Sequence, residues 1–415
     1  MTRRPRRETV RCGPRCSAAV RSAGCGLLPL ALTAAAVLAV SPTAVADERP
    51  TVKLPVMAAE LTDHADCTKA STTTATATPW EHQSLELSRA ARISQGAGVK
   101  VGVVDTGVAT GAPALSGRVE AVGVAGDDCV GHGTFVAGLI AAAPAKGVAF
   151  HGVAPRATIV SARGTTERGA PSAADVAAGI RGVVDAGARV VEVSAAFASR
   201  SSALDDAVSY ATEHDALVVA AAVPDPPRGT VEKSTPAPRD YWPAASPGVL
   251  GVLDVDVRGT RPDAALLPAG ADLAAPGDGV VGIGPHGGGH FVGSGASFAA
   301  GYTAGAAALV RAAFPGLSAA QVARRLTSTA YPDDVPRLDA YAALASVMDD
   351  TQAAGATAGA HGAAVRMPDR THGERATRTA LLVCAVGAAV VLLVGWAALA
   401  VPRGRARGWR PARRP

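Results

Sequence analysis

Asp105, His132 and Ser297 are the residues whose types and settings point to chemistry. The stretch "VKVGVVDTGV" (99–108) delivers Asp105 to the end of an apolar strand, the edge at which open α/β sheets place ligands. In "GHGTFVAGLIAA" (131–142) His132 sits between two glycines at the start of an apolar helix, so its ring can reach a cleft past no bulky neighbour. In "GSGASFAAGYTAGAAALV" (293–310) Ser297 opens a long small-residue helix after a glycine-rich approach, which lets a hydroxyl and a backbone N–H point at one spot. Singly, each has a plainer explanation as a turn aspartate, a solvent histidine or a capping serine. Together an acid, an imidazole and a hydroxyl can run acyl transfer: the serine attacks a carbonyl, the histidine carries its proton and the acid orients the imidazolium.

Such side chains need a rigid frame, and the chain alternates β-type and helical runs from Gly98 to about Met348. That alternation predicts an α/β domain around a mainly parallel sheet. The expected strands cover 99–104, 158–162, 189–193, 217–221 and 249–255, mostly continuous apolar runs suited to burial on both faces. The expected helices cover 132–142, 172–186, 202–214, 297–313 and 318–328, several opening on a serine able to cap the first turn. Residues 47–97 form a polar, Thr-rich extension with a short helix expected around 85–93 and a position wrapped on the main domain.

The two ends have a different character. Seven arginines, an apolar run from Gly26 to Val40 and Ala44-Val45-Ala46 make residues 1–46 a secretory signal peptide, with an uncleaved anchor as the alternative. Residues 379–401 hold no charge and are followed by six arginines within 402–415. A transmembrane helix with a cytoplasmic basic tail follows, leaving the rest exported. Between domain and span, residues 349–378 are rich in Ala, Gly, Thr and charge, as a flexible linker should be. The formal net charge of +5 resides in these ends; without their arginines the exported stretch is net acidic, and no nucleic-acid partner is expected. Cys67 and Cys129 are the cysteines left to that stretch. An even pair in an oxidising compartment reads as a disulfide worth roughly 4 kcal/mol, two buried thiols being the alternative.

The order Asp, His, Ser is the subtilisin order of triad residues. Residues 98–345 resemble the subtilisin-like serine peptidases through "VVDTGV", "GHGTFVAGLIAA", "GVAPRATIVSAR", "DLAAPG" and "GSGASFAAGYTAG". "PW" at 79–80, "ISQGAGVKVGVVDTGV", "DDCVGHGT" and the C-terminal span resemble the mycosins, membrane-anchored peptidases of type VII secretion systems. The resemblance implies a three-layer subtilisin-like domain, a cysteine-tied extension, a polypeptide substrate and association with a secretion complex at the cell membrane. It also implies roles: Ser297 as nucleophile, His132 as base, Asp105 as orienting acid and the Ser297 N–H as one oxyanion donor. No cofactor and no metal are expected, and His286 and His290 in "HGGGH" read as a hairpin tip.

One part of the resemblance fails. The strand 217–221 runs on through Ala222 into Val223-Pro224, where the family places Gly-Asn and the Asn is the second oxyanion donor. Proline has neither a side-chain donor nor an N–H, and the chain contains no asparagine at all. Glu192 replaces another usual Asn, Ala195-Ala196-Phe197 a segment usually rich in Gly that lines the pocket, Ala296 a Thr and Gly301 a Pro, while Val223 is expected to crowd the pocket's opposite wall. Two readings follow: an endopeptidase with an impaired oxyanion hole, or a catalytically inactive structural subunit of a secretion complex. A one-residue bulge placing Asp225 in the Asn position is a third possibility, useful to catalysis only if that carboxyl is protonated.

Overall fold

The computed structural model describes residues 53–225, 237–261, 265–348 and 371–408, all within the compact unit Val52–Pro415. The signal segment, residues 349–370 of the linker expected over 349–378 and the tail from residue 409 lie outside the described residues, while 371–378 of that linker are helical.

A seven-stranded sheet runs in the order β2-β3-β1-β4-β5-β6-β7 with every neighbouring pair parallel. Its strands are β1 (Lys100–Asp105), β2 (Val119–Ala121), β3 (Thr158–Arg163), β4 (Val190–Val193), β5 (Leu217–Ala221), β6 (Val249–Val255) and β7 (Leu273–Pro276). Their apolar runs are needed because helices cover both faces. Val101 and Val103 of β1 turn toward α3 (His132–Ala141) and α6 (Ala296–Ala313). Val104, Val191 and Val193 turn the other way, toward α4 (Ala173–Asp185) and α5 (Ser202–Glu213). This is the three-layer arrangement expected, completed by α7 (Ala319–Ser328) and α8 (Ala340–Ala345). Ser172 caps α4 by accepting the Asp175 N–H, and Ser318 with Gln321 forms a capping box at α7, each satisfying donors that the helix leaves open. β2 and β7 were not anticipated: β2 is too short to show a pattern, and β7 is the "DLAAPG" stretch read only as a motif.

Where one helix was expected around 85–93, the extension holds two shorter ones: α1 (Trp80–Ser84) and α2 (Leu87–Ala90), with Glu86 between them in the left-handed region at φ 48°. It grips an antiparallel hairpin of β8 (Asp278–Ile283) and β9 (His290–Ser294). Met57 N–H donates to Val292 O and Val292 N–H to Pro55 O, adding an edge to β9. Cys67 and Cys129 form the disulfide, and Thr68 N–H donates to Cys129 O beside it. His286 is exposed on the hairpin tip as expected, whereas His290 is buried in β9 and its Nδ1 accepts the Ala75 N–H. Near the other end, α9 (Thr371–Ala406) contains 26 residues, Leu381–Ala406, whose most apolar stretch has a mean hydropathy of 2.6, long and apolar enough to cross a membrane.

Candidate active site

The parallel sheet presents its carboxyl edge to the groups singled out above, and it brings all three together. Asp105 is the last residue of β1, His132 the first of α3, and Ser297 lies in the first turn of α6. His132 Nδ1 is 2.8 Å from Asp105 Oδ2, and Ser297 Oγ is 3.1 Å from His132 Nε2. The glycine after the histidine is compulsory. A Cβ on Gly133 would stand 2.1 Å from Gly107 O, so α3 reaches Asp105 only with a hydrogen there.

Hydrogen bonds fix each group. Asp105 Oδ1 accepts the Thr106 N–H, and Ser194 Oγ lies 2.5 Å from Asp105 Oδ2 and 2.9 Å from Glu192 Oε1. Burial favours the neutral acid, yet His132, Ser194 and the Thr106 N–H together hold the Asp105 pKa below its ordinary value. Asp128 accepts from Gly131 N, Thr134 N, Thr134 Oγ1 and Thr106 Oγ1, tying the start of α3 to the turn after β1. Nothing in the sequence reading had singled out this residue, although its place in "DDCVGHGT" is that of an acid ahead of a helix start.

The oxyanion side departs from expectation in a specific way. Pro224 offers no donor, and beyond it the Asp225 carboxylate turns onto the nucleophile. Asp225 Oδ1 accepts the Ser297 N–H at 3.1 Å, while Oδ2 is 2.5 Å from Ser297 Oγ and 3.2 Å from His132 Nε2. These oxygens stand where the carbonyl oxygen and the attacked centre of an acyl group would be held. Gly295 makes the room: its backbone is extended, and a Cβ there would fall 2.2 Å from Asp225 Oδ1. With Asp105 on one nitrogen and Asp225 on the other, the ring is anionically flanked; burial pushes the His132 pKa down, but the two carboxylates carry it well above its ordinary value.

A cleft of about 630 Å³ opens beside the site, lined by Leu61 and Ala65 of the extension and by Ala195, Ala196, Pro224 and Asp225. Two expected wall residues are elsewhere. Val223 is buried against Tyr241, Leu253 and Ala296 and does not crowd the cleft; Phe197 pairs its backbone with Trp242 and lies against the core under α4 and α5.

Comparison with known proteins identifies the family. Residues 96–371 match the subtilase family. Mycosin-4 of Mycobacterium tuberculosis is 35% identical over 381 residues, covering 79% of this chain and 82% of that protein. Among solved structures, the MycP3 protease from the type VII (ESX-3) secretion system matches with a TM-score of 0.58 and 32% identity over 71% of this chain and 98% of that one. A chain in the periplasmic assembly from the ESX-5 inner membrane complex matches with a TM-score of 0.60 and 29% identity over 77% and 97% of the two chains. With its acid, imidazole and serine at one sheet edge, this chain belongs to the subtilase family of serine-type endopeptidases and, within it, to the mycosins.

Proposed function

We propose that the chain is a membrane-anchored, extracytoplasmic mycosin-type endopeptidase that works beside a type VII secretion complex and whose oxyanion hole is occupied by its own Asp225. The carboxylate seated on both the N–H and the hydroxyl of Ser297 carries this reading. The setting is supported by the similarity to a protease of one such system and to a chain of an ESX-5 inner membrane complex.

An extended polypeptide lies in the cleft between the extension and the 194–196 segment, and its scissile carbonyl oxygen replaces Asp225 Oδ1 on the Ser297 N–H. Ser297 Oγ attacks, His132 Nε2 takes the hydroxyl proton and returns it to the leaving amine, and Asp105 holds the imidazolium through Nδ1. Water then releases the acyl group by the same proton route. Displacing Asp225 costs binding energy before the first bond forms, and the vacated hole has one backbone donor where a subtilase ordinarily has two. Losing the side-chain donor alone costs about 10²–10³ in rate in subtilisin.

The test uses the full chain in detergent, a peptide library, a fluorophosphonate directed at Ser297, and Ser297→Ala as control. Slow Ser297-dependent cleavage is expected, with Asp225→Asn faster by at least about tenfold because the amide loses the plug's charge and regains a donor. Wild-type turnover within about tenfold of an ordinary subtilase would refute the occluded hole. The same contact also favours a purely structural subunit, and that reading wins if neither wild type nor Asp225→Asn is labelled or cleaves.

A further inference from the structure

Glu192 is a buried acid that the mechanism above does not use. It lies in the middle of β4, in register between Val103 of β1 and Val219 of β5, and is 0% exposed. Its Oε1 is 2.9 Å from Ser194 Oγ, while its Oε2 has no hydrogen-bond partner among the described residues. The same Ser194 oxygen is 2.5 Å from Asp105 Oδ2, which in turn holds His132 Nδ1 at 2.8 Å.

Counting hydrogens constrains who donates. Ser194 has one hydroxyl hydrogen and two carboxyl neighbours. At 2.5 Å the Asp105 contact cannot be two bare acceptors, so that hydrogen belongs to Asp105. The Glu192 contact then needs a hydrogen of its own, and the only source is the Glu192 carboxyl. The unpartnered Oε2 fits the same assignment, because an unpaired carbonyl-type oxygen among Val103 and Val219 is cheaper than an unpaired charge.

We propose that Glu192 is a positioning residue held as the neutral acid, donating from Oε1 to Ser194 and through it directing the Ser194 hydrogen onto Asp105. A continuous chain results, Glu192 to Ser194 to Asp105 to His132, ending at Ser297. Its effect is to leave one negative charge behind the imidazole instead of two. The charged or titratable groups whose fields reach Glu192 are Asp105, His132 and Asp225, and burial with the Asp105 charge pushes the Glu192 pKa well above its ordinary value. Glu192 touches no substrate; it acts through Ser194 and Asp105. The inference rests on the reading of Asp105, His132 and Ser297 as the reacting groups, but part of its test does not.

That part is infrared difference spectroscopy of the full chain in detergent and heavy water at neutral pH, wild type minus Glu192→Gln. A protonated-carboxyl carbonyl band lost in the variant is expected; loss of a carboxylate band instead overturns the proposal, whatever the enzyme's activity. The second part follows fluorophosphonate labelling of Ser297 against pH. Since glutamine is neutral and can donate to Ser194, Glu192→Gln is expected to label within about twofold of wild type with an unmoved rising limb. Glu192→Leu, which leaves Ser194 without its donor, is expected to label about fivefold more slowly. A limb displaced to lower pH in Glu192→Gln would reveal a charge removed and overturn the proposal, as would a Glu192→Leu variant labelling like wild type. Absence of labelling in every form refutes the peptidase reading and leaves the infrared result to decide on Glu192.

Discussion

His132 Nε2 faces two oxygens at nearly equal range, Ser297 Oγ at 3.1 Å and Asp225 Oδ2 at 3.2 Å. Burial favours the neutral ring, but the carboxylates of Asp105 and Asp225 prevail and raise its pKa well above the ordinary value. A protonated Nε2 cannot accept the serine proton. Ser297 labelling should therefore increase with pH through that raised pKa, and Asp225→Asn, which removes one of the two carboxylates, should move the limb to lower pH. An acid donating from the oxyanion position gives the opposite slope, activity falling as pH rises, so the sign of the profile separates the two roles of Asp225. A limb that Asp225→Asn leaves in place would mean that this carboxylate is not beside His132 in solution. That Asp105, His132 and Ser297 would meet was legible because each sits in a local motif that also fixes its element. Asp225 was legible only as a possibility: the missing Asn drew attention to the loop, but whether the next carboxylate flanks the hole or fills it depends on Gly295, remote in sequence. Val223 was misplaced because the direction of a side chain past a strand end is decided by packing.

The short helix α1 binds the extension to the hairpin through side chains that titrate in opposite senses. Trp80 Nε1 donates to Gly279 O, and Glu81 Oε1 accepts from Val281 N and Tyr302 Oη. Burial outweighs these donors and raises the Glu81 pKa to about 7, whereas burial lowers that of His82, packed on Phe150 and His151, to about 3. A carboxyl whose folded pKa is raised binds more protons folded than unfolded, so stability falls as pH rises from about 4.5 to 7. His82 works the other way: its stability contribution is lost as pH falls from 6.5 toward 3. The slopes oppose each other over their shared range and flatten the profile. Replacing Glu81 with glutamine removes one of them. The thermal midpoint of Glu81→Gln relative to wild type should improve between pH 5 and pH 7.5, by an amount on the order of 3 kcal/mol in stability. A difference that does not change with pH would show that Glu81 titrates normally. Little of this clamp was readable beforehand, because a five-residue helix has too few positions for a period and its partners lie about 200 residues away.

Over the whole chain, charge and hydropathy carried more information than periodicity did. Arginines at both ends bracket a net acidic middle, and the disulfide Cys67–Cys129 joins extension to domain three residues before His132, as a chain folding in an oxidising compartment allows. The membrane assignment is the one on which the proposed setting depends. At 1.5 Å per residue, residues 379–401 span about 34 Å, enough for a hydrocarbon core of ~30 Å. The side chains described from Leu381 to Leu399 are nearly all exposed, which in water would leave an apolar surface with nothing to cover it. In the proposed anchoring lipid would cover it, and Arg403 and Arg405, in the last turn of α9, would lie at the headgroups on the side where basic residues are retained. The full chain should accordingly stay in the membrane pellet after alkaline carbonate washing. A chain ended at Arg378 should leave it and be recovered with the soluble exported proteins. Binding to a membrane complex through the domain alone would also hold the shortened chain at the membrane, but carbonate strips such contacts. Full-length protein released by carbonate, or a shortened chain that resists it, would show that α9 is not the anchor.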